Sequence, residues 1–176
     1  MRPAVLRALL LALALLPGAA LPAGAQERPH LSADPEANRA RALIEAGSHE
    51  AALAILRPLA AASAGRADRT DIRFLAGLAA MGAAERRAEE SRDVLLDEAI
   101  AAFRAVLVES PGLVRVRLEL ARALYFKRED ALARDHFERV LAGNRPPAVA
   151  DNVRRFLEEM RARRRWSAHF GMALAS

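Results

Sequence analysis

Residues 99–107, AIAAFRAVL, and residues 133–141, ARDHFERVL, carry the same apolar pattern and decide the fold of this chain. Within each stretch, the apolar positions have the spacing of one face of an α-helix. The shared positions, 34 residues apart, are Ala99 and Ala133, Phe103 and Phe137, Val106 and Val140, and Leu107 and Leu141. We therefore predict that these stretches are equivalent helices of two neighbouring structural repeats.

The 34-residue period is that of the tetratricopeptide repeat, a helix-turn-helix unit that stacks into a solenoid. We place three such units in residues 35–147, with breaks at Gly47, at residues 63–68 and at Ser110-Pro111, and end the last one at Pro146-Pro147. A terminal helix over residues 148–165, apolar on one side only, closes the stack. The predicted fold is thus an all-α solenoid of helical hairpins with a C-terminal capping helix, a fold whose usual work is to bind other polypeptides.

Helix starts are marked by two short polar residues. Asp34 precedes Pro35, and an aspartate oxygen can accept hydrogen bonds from the free amides of a first turn that proline tolerates. Ser48 follows Gly47, and we expect its hydroxyl to cap the second helix.

The middle unit is longer than a standard repeat. Residues 82–92 add roughly ten residues between its two helices, and the added sequence is charged on all sides and favourable to helix. We favour a solvated extension of either helix. An arm that binds a partner is the alternative.

The first helix of each unit lines the inner groove in repeat proteins generally, and this sets the candidate binding surface. In the third unit, counted from Val114, the surface residues are Arg115, Leu118, Arg122, Tyr125 and Phe126, and in the second they are Asp71, Phe74, Leu78 and Met81. Tyr125 and Phe126 are the best anchors for an extended peptide, because aromatic side chains beside arginines often dominate binding. Packing against the terminal helix is the alternative role; it stays open for Phe126, whereas the hydroxyl of Tyr125 favours the groove.

The N-terminus carries the pattern of an export signal. Arg2 and Arg7 precede or flank an apolar stretch, which ends at Pro17-Gly18 before the small residues of Ala23-Gly24-Ala25. Such a layout predicts a cleaved signal peptide over residues 1–25, followed by a linker over 26–34. The stretch is shorter than the roughly 20 residues that span a bilayer as a helix.

Composition limits what the exported domain can do. The chain has no cysteine, so it can carry neither a disulfide nor a lipid attached at the cleavage site. Its net charge of +5 does not indicate nucleic-acid binding, because export removes that partner and aromatic residues are not interleaved with the basic ones.

The spacing of apolar residues changes at the C-terminal end. An arginine run, Arg161, Arg163, Arg164 and Arg165, suits the last turn of a capping helix, or alternatively contacts phosphates at a membrane surface. From Trp166 apolar residues alternate, which predicts an outer-membrane barrel strand over residues 166–176 with Arg163, Arg164, Arg165 and Trp166 at the membrane interface. Because the sequence stops within this strand, we expect the chain to be a truncated product or a fragment.

The downstream third of the chain resembles a known family. The motifs are LARALYF at 120–126, the helix at 133–141, Pro146-Pro147, NVRRFL at 152–157 and RARRRWS at 161–167, and together they resemble the surface lipoprotein assembly modifiers. The resemblance implies a periplasmic tetratricopeptide domain that precedes a C-terminal outer-membrane β-barrel and helps deliver lipoproteins to the cell surface. It also implies a location at the periplasmic face of the outer membrane of a Gram-negative bacterium. The sequence departs from the family by ending inside the first strand.

Three functional hypotheses follow. The first is the interaction domain of such an outer-membrane protein, which binds a protein or peptide client, a lipoprotein by the resemblance, in the repeat groove. The second is a free periplasmic repeat scaffold or chaperone for envelope proteins. The third is an enzyme, which finds little support because His30, His49, His136 and His169 show no metal-ligand or nucleophile spacing. We expect no cofactor, no metal and no small-molecule substrate.

Overall fold

Seven α-helices run through the part of the chain that the computed structural model describes, residues 34–143 and 146–173, with side chains described to residue 164. They are α1 (Pro35–Glu45), α2 (His49–Ala61), α3 (Arg69–Ala84), α4 (Glu89–Glu109), α5 (Val114–Phe126), α6 (Asp130–Leu141) and α7 (Pro147–Ala173). The described residues contain no strand. The predicted all-α class is confirmed.

Each helix packs against the next one along the chain, which gives the hairpins α1–α2, α3–α4 and α5–α6. In addition, α3 contacts both α1 and α5, so the first helices of successive hairpins are neighbours. This is the arrangement of a tetratricopeptide-like solenoid, and it makes the first-helix side a continuous surface from α1 to α5.

The repeated apolar positions form the core. Phe103 and Phe137 are fully buried, as are Ala99 and Ala133, one turn before them. A Cβ on Gly77 of α3 would lie 2.5 Å from Cε1 of Phe103. The small residue on one helix therefore admits the large ring of the next, which lets the two helices of the middle hairpin approach closely.

The two predicted helix caps have different outcomes. Asp34 Oδ1 accepts hydrogen bonds from the amides of Glu36 at 2.8 Å and Ala37 at 3.4 Å, as expected. The prediction for Ser48 was wrong, because its side chain makes no capping hydrogen bond. Instead Gly47 has a φ of +75°, and the Ser48 amide donates to the Leu43 carbonyl at 2.8 Å, so backbone bonds close this turn.

The long middle unit gains its length in α4. This helix begins at Glu89, inside the added segment 82–92, and residues 86–91 are exposed. The favoured prediction of a solvated helical extension is confirmed for residues 89–91, whereas residues 85–88 form the turn between α3 and α4. The extension also has contacts: Arg92 Nη2 donates to the Phe126 carbonyl at 2.6 Å, which satisfies an acceptor at the end of α5.

The predicted strand from Trp166 was wrong over the residues described. The backbone of α7 stays helical through Ala173, so the capping helix is longer than the predicted 148–165. A lone strand leaves its amides and carbonyls without partners, whereas a helix satisfies them within its own segment. Residues 174–176, and the predicted signal peptide and linker up to residue 33, lie outside the described part.

Among the described helices, none is both long and apolar enough to cross a membrane.

Candidate partner-binding groove

The candidate groove surface lies on the first helices of the second and third hairpins. Four residues apart on a helix is nearly one turn, so residues at this spacing share a face. We define the first-helix surface by its accessible members on the two helices, which are Asp71, Phe74 and Leu78 of α3 and Arg115, Leu118, Arg122 and Phe126 of α5. All of these side chains are half-buried except Arg115, which is exposed.

Phe74 joins the two halves of this surface. The guanidinium carbon of Arg115 lies 5.4 Å from the centroid of the Phe74 ring, a cation–π contact between α5 and α3. On its other side Phe74 packs on Phe103 at 5.9 Å between ring centroids. Since Phe103 is core, Phe74 is held in place while part of its ring remains accessible.

Arg122 lies at the floor of the first-helix surface, and its charge is paired within the chain. Its Nη1 lies 2.8 Å from Glu119 Oε2, and the two side chains are 13% and 6% exposed. Burial raises the pKa of Glu85, at the end of α3, and the Arg122 guanidinium partly offsets that rise. Arg122 therefore balances carboxylates of the chain itself, and a partner would need to displace them to use it.

Two predicted groove residues are corrected by their burial. Met81 is only 5% exposed and Tyr125 only 7%, so neither offers a partner much surface. Both lie at the edge of the helical face, where the neighbouring helix covers them. Tyr125 therefore packs against the terminal helix. The sequence had favoured the groove for this residue because of its hydroxyl group.

Tyr125 is the centre of what we call the terminal junction, where α5 and α6 meet α7. Its hydroxyl donates to Glu159, and Arg163 lies over its ring with the guanidinium carbon 4.1 Å from the centroid. Arg163 Nη1 also lies 3.2 Å from Asp130 Oδ1. Burial first, and then the bond to Glu159, raises the pKa of Tyr125 to about 12.

Aromatic packing completes the terminal junction. The ring of Phe156 meets Tyr125 edge-on at 4.9 Å and stacks on Phe137 at 5.1 Å. The apolar side of the terminal helix is buried, with Val153, Phe156, Leu157 and Met160 each at most 6% exposed. This helix therefore covers the end of the core, as a capping helix does.

Phe126 stays accessible at the edge of the groove. It is half-buried, and its ring lies edge-on to Tyr125 at 5.5 Å. The turn after it is fixed by Lys127, which pairs with Asp97 of α4 and, at 3.2 Å, with Glu129. Arg92 of the helix extension and Asp97, further along α4, thus support the groove edge, a role that sequence spacing did not reveal.

The chain is similar to a curated protein over part of its length. It is 32% identical over 82 residues to "Surface lipoprotein assembly modifier 1" of Neisseria meningitidis serogroup B (strain ATCC BAA-335 / MC58). The chain resembles a surface lipoprotein assembly modifier. This confirms the family resemblance seen in the sequence, although the match covers 47% of this chain and 17% of the meningococcal protein. No family model matches the chain, and no solved structure matches it.

The histidines of the described part were weighed as catalytic candidates on the sequence. The relative's name describes an assembly modifier and not an enzyme. Among the described residues, no three His, Cys, Asp or Glu side chains come together as metal ligands. His136 is half-buried, burial lowers its pKa, and the neighbouring Asp135 pairs with Arg139 at 3.0 Å.

The predicted membrane-interface arginines separate into two kinds. Arg163 belongs to the terminal junction, with its side chain 23% exposed. Arg164 is exposed. The side chains of Arg165 and Trp166 lie outside the described part, and their backbone is helical.

Proposed function

We propose that this chain is the periplasmic protein-interaction domain of an outer-membrane protein that assists delivery of lipoproteins to the cell surface. The client binds along the first-helix surface. In this proposal the chain is exported, and the whole protein reaches the outer membrane through a C-terminal barrel. Neither catalysis nor a cofactor is required, because binding alone brings the client to its exit site.

One observation carries the proposal: the Phe74–Arg115 contact joins accessible residues of α3 and α5 into one surface on a chain that resembles an assembly modifier. Phe74 and Leu118 supply apolar area, and Arg115 supplies an exposed charge at the rim. Apolar anchors with a polar edge are the usual composition of a protein-binding site. A client segment with apolar side chains and carboxylates is therefore the chemistry that fits.

Binding of a purified surface lipoprotein to the chain tests the proposal. Leu118→Glu and Arg115→Glu should each weaken binding by about ten-fold, which corresponds to the loss of one interface anchor. Titration calorimetry measures the affinity, and circular dichroism checks that each variant is folded.

Val108→Glu is the matched control. Val108 lies on α4, the second helix of the middle hairpin, and is 83% exposed. Val108→Glu therefore adds the same charge as Leu118→Glu, but away from the first-helix surface. Its affinity should stay within about two-fold of the parent chain. Equal affinity for all three variants and the parent would remove the groove from the proposal.

A free periplasmic scaffold is the second candidate, and the course of α7 favours it. Residues 166–173 are helical where the first candidate expected a strand. Fractionation of cells that express the natural gene product separates the two candidates. Recovery with outer-membrane vesicles supports the first, and recovery in the soluble periplasmic fraction supports the second.

A further inference from the structure

An arginine-lined cleft lies between α6 and α7, on the far side of the terminal junction from the groove residues of α3. Its volume is about 450 Å³, within the range of sites that hold small ligands or head groups. Five arginines surround it, namely Arg128, Arg134, Arg161, Arg163 and Arg164. A single carboxylate, Asp130, lines it with them and already pairs with Arg163.

Such a density of guanidinium groups is costly for the folded chain. Like charges around one cleft repel each other, and one carboxylate offsets only a part of that repulsion. Guanidinium groups bind phosphate oxygens with two parallel hydrogen bonds, which lysine cannot do. The amides at the start of α6, beside Asp130, add a positive dipole on the same side.

Arg128 gives a second, independent sign that the cleft is a binding site. It adopts a φ of 70°, the left-handed region that glycine occupies without strain. The α1–α2 turn has the same backbone bonds with Gly47 in this position, as the amides of Gly47 and Arg128 each donate three residues back, to Ile44 and Tyr125. The third hairpin thus keeps a strained arginine where the first uses glycine, and strain of this kind concentrates at functional positions.

The floor of the cleft indicates which phosphate compound it suits. Exposed Ala131 supplies most of its apolar surface, and Leu157 and Met160, which are largely buried, close it from below. A free phosphate ion gains nothing from apolar carbon. A phospholipid, in contrast, presents glycerol and acyl carbons directly beside its phosphate.

We propose that this cleft binds the phosphate group of an anionic phospholipid, so that the α6–α7 end of the chain lies on a membrane surface. Contacts at this end leave the first-helix surface open to a client. The proposal stands independently of client binding, since the two use different residues.

Sedimentation of the full chain with vesicles tests the proposal. Vesicles of phosphatidylcholine with about 30% phosphatidylglycerol should bind it, vesicles of phosphatidylcholine alone should not, and raising salt to about 0.5 M should weaken binding. Arg128→Gly combined with Arg161→Gln should lower affinity for the anionic vesicles by at least about ten-fold.

Arg39→Gln combined with Arg155→Gln is the matched control. It removes the same charge from exposed arginines that do not line the cleft, and it should change affinity by less than about three-fold. An equal loss in both double variants would show attraction by net charge alone and would overturn the proposal. Arg128→Gly by itself should keep or raise Tm while it weakens vesicle binding, which separates a binding defect from a folding defect.

Two further binding measurements identify the ligand. Calorimetric binding of inorganic phosphate without binding to anionic vesicles would assign the cleft to free phosphate and overturn the lipid proposal. Binding of a polyglutamate peptide without binding to vesicles would overturn it in favour of an acidic protein partner.

Discussion

The middle hairpin, α3–α4, and the terminal junction differ in the contact at their centres. In the middle hairpin the ring of Phe103 fills the space left by Gly77, and both are buried among apolar side chains. In the terminal junction the aromatic ring of Tyr125 lies under Arg163, and its hydroxyl is bonded to Glu159. The first contact is set by volume and the second by charge and hydrogen bonding.

This difference explains where the arginine cleft lies. An apolar contact between helices is non-directional and closes over all of its area. A polar junction keeps its charged groups near water, because buried charges need several partners. The terminal junction therefore leaves an open cleft beside it, whereas the contact between Gly77 and Phe103 is closely packed.

The largest expected effect is at the centre of the middle hairpin. Phe103→Ala should lower the free energy of unfolding by about 3–5 kcal/mol, because a fully buried ring is removed and the helices cannot collapse fully onto the cavity. Urea denaturation measures it. Phe156→Ala in the terminal junction should cost less, since Phe156 is 6% exposed and belongs to the last helix. A larger loss at Phe156 would reverse our ranking of the two regions.

Two glycines of α3 test the volume argument next. Gly77→Ala should destabilise by about 1–3 kcal/mol, because the new methyl group would meet the fully buried Phe103 ring at 2.5 Å. Gly82→Ala would meet the ring of His49 at 2.3 Å, but His49 is half-buried and can turn outward. We expect little loss at Gly82, since alanine also favours helix by about 1 kcal/mol. Thermal unfolding of the two variants side by side checks the difference.

Tyr125→Phe probes the polar junction and should cost about 1 kcal/mol at neutral pH, the net value of one hydrogen bond. The pKa of Tyr125 is raised from 10.0 to about 12 by burial, so the unfolded chain loses this proton first. The contribution of Tyr125 is therefore complete below pH 10.0 and is lost as the pH rises towards about 12.

The chain has a single tyrosine, so the absorbance of tyrosinate reports this group alone. The parent chain should titrate above pH 10.0, and the stability gap to Tyr125→Phe should narrow with rising pH. Titration at the ordinary value would contradict the buried bond to Glu159.

The smallest effect is expected at the start of α1. The amide of Glu36 and then the guanidinium of Arg66 lower the pKa of Asp34 below its usual 3.8. The stabilisation by Asp34 is thus present above pH 3.8 and is lost as the pH falls through the lower folded value. Asp34→Asn keeps a capping oxygen but removes the charge, so its Tm should fall slightly below the parent at neutral pH and match it in strong acid.

The sequence predicted the elements that depend on apolar spacing. Phe103 and Phe137 recur at a fixed period, and the start of α5 at Val114 followed from that period alone. The burial of Tyr125 did not follow from the spacing. Tyr125 lies at the edge of the apolar face of α5, and the helix that packs against this edge decides whether its ring is buried or faces the groove. Glu159 and Arg163 lie 34 and 38 residues away along the chain. Glu159 is thus one repeat period from Tyr125, but the period alone does not show that the two side chains are bonded.

The accessibility of the candidate groove residues was predicted in part. Arg115 and Leu118 followed from the repeat register, and both have accessible surface. Met81 failed because neighbouring helices cover it, which is a tertiary effect that one helix does not encode. The strand after Trp166 failed because alternation alone cannot supply the neighbouring strands that a strand needs.

Site-specific crosslinking is the most direct test of the central claim that the first-helix surface receives the client. The chain has no cysteine, so one introduced cysteine can carry a photoreactive group at Leu118 of α5 or at Val108 of α4. With a purified surface lipoprotein, our account predicts a crosslinked product from position 118 and little from position 108. Equal products from both positions, or a product from position 108 alone, would contradict it.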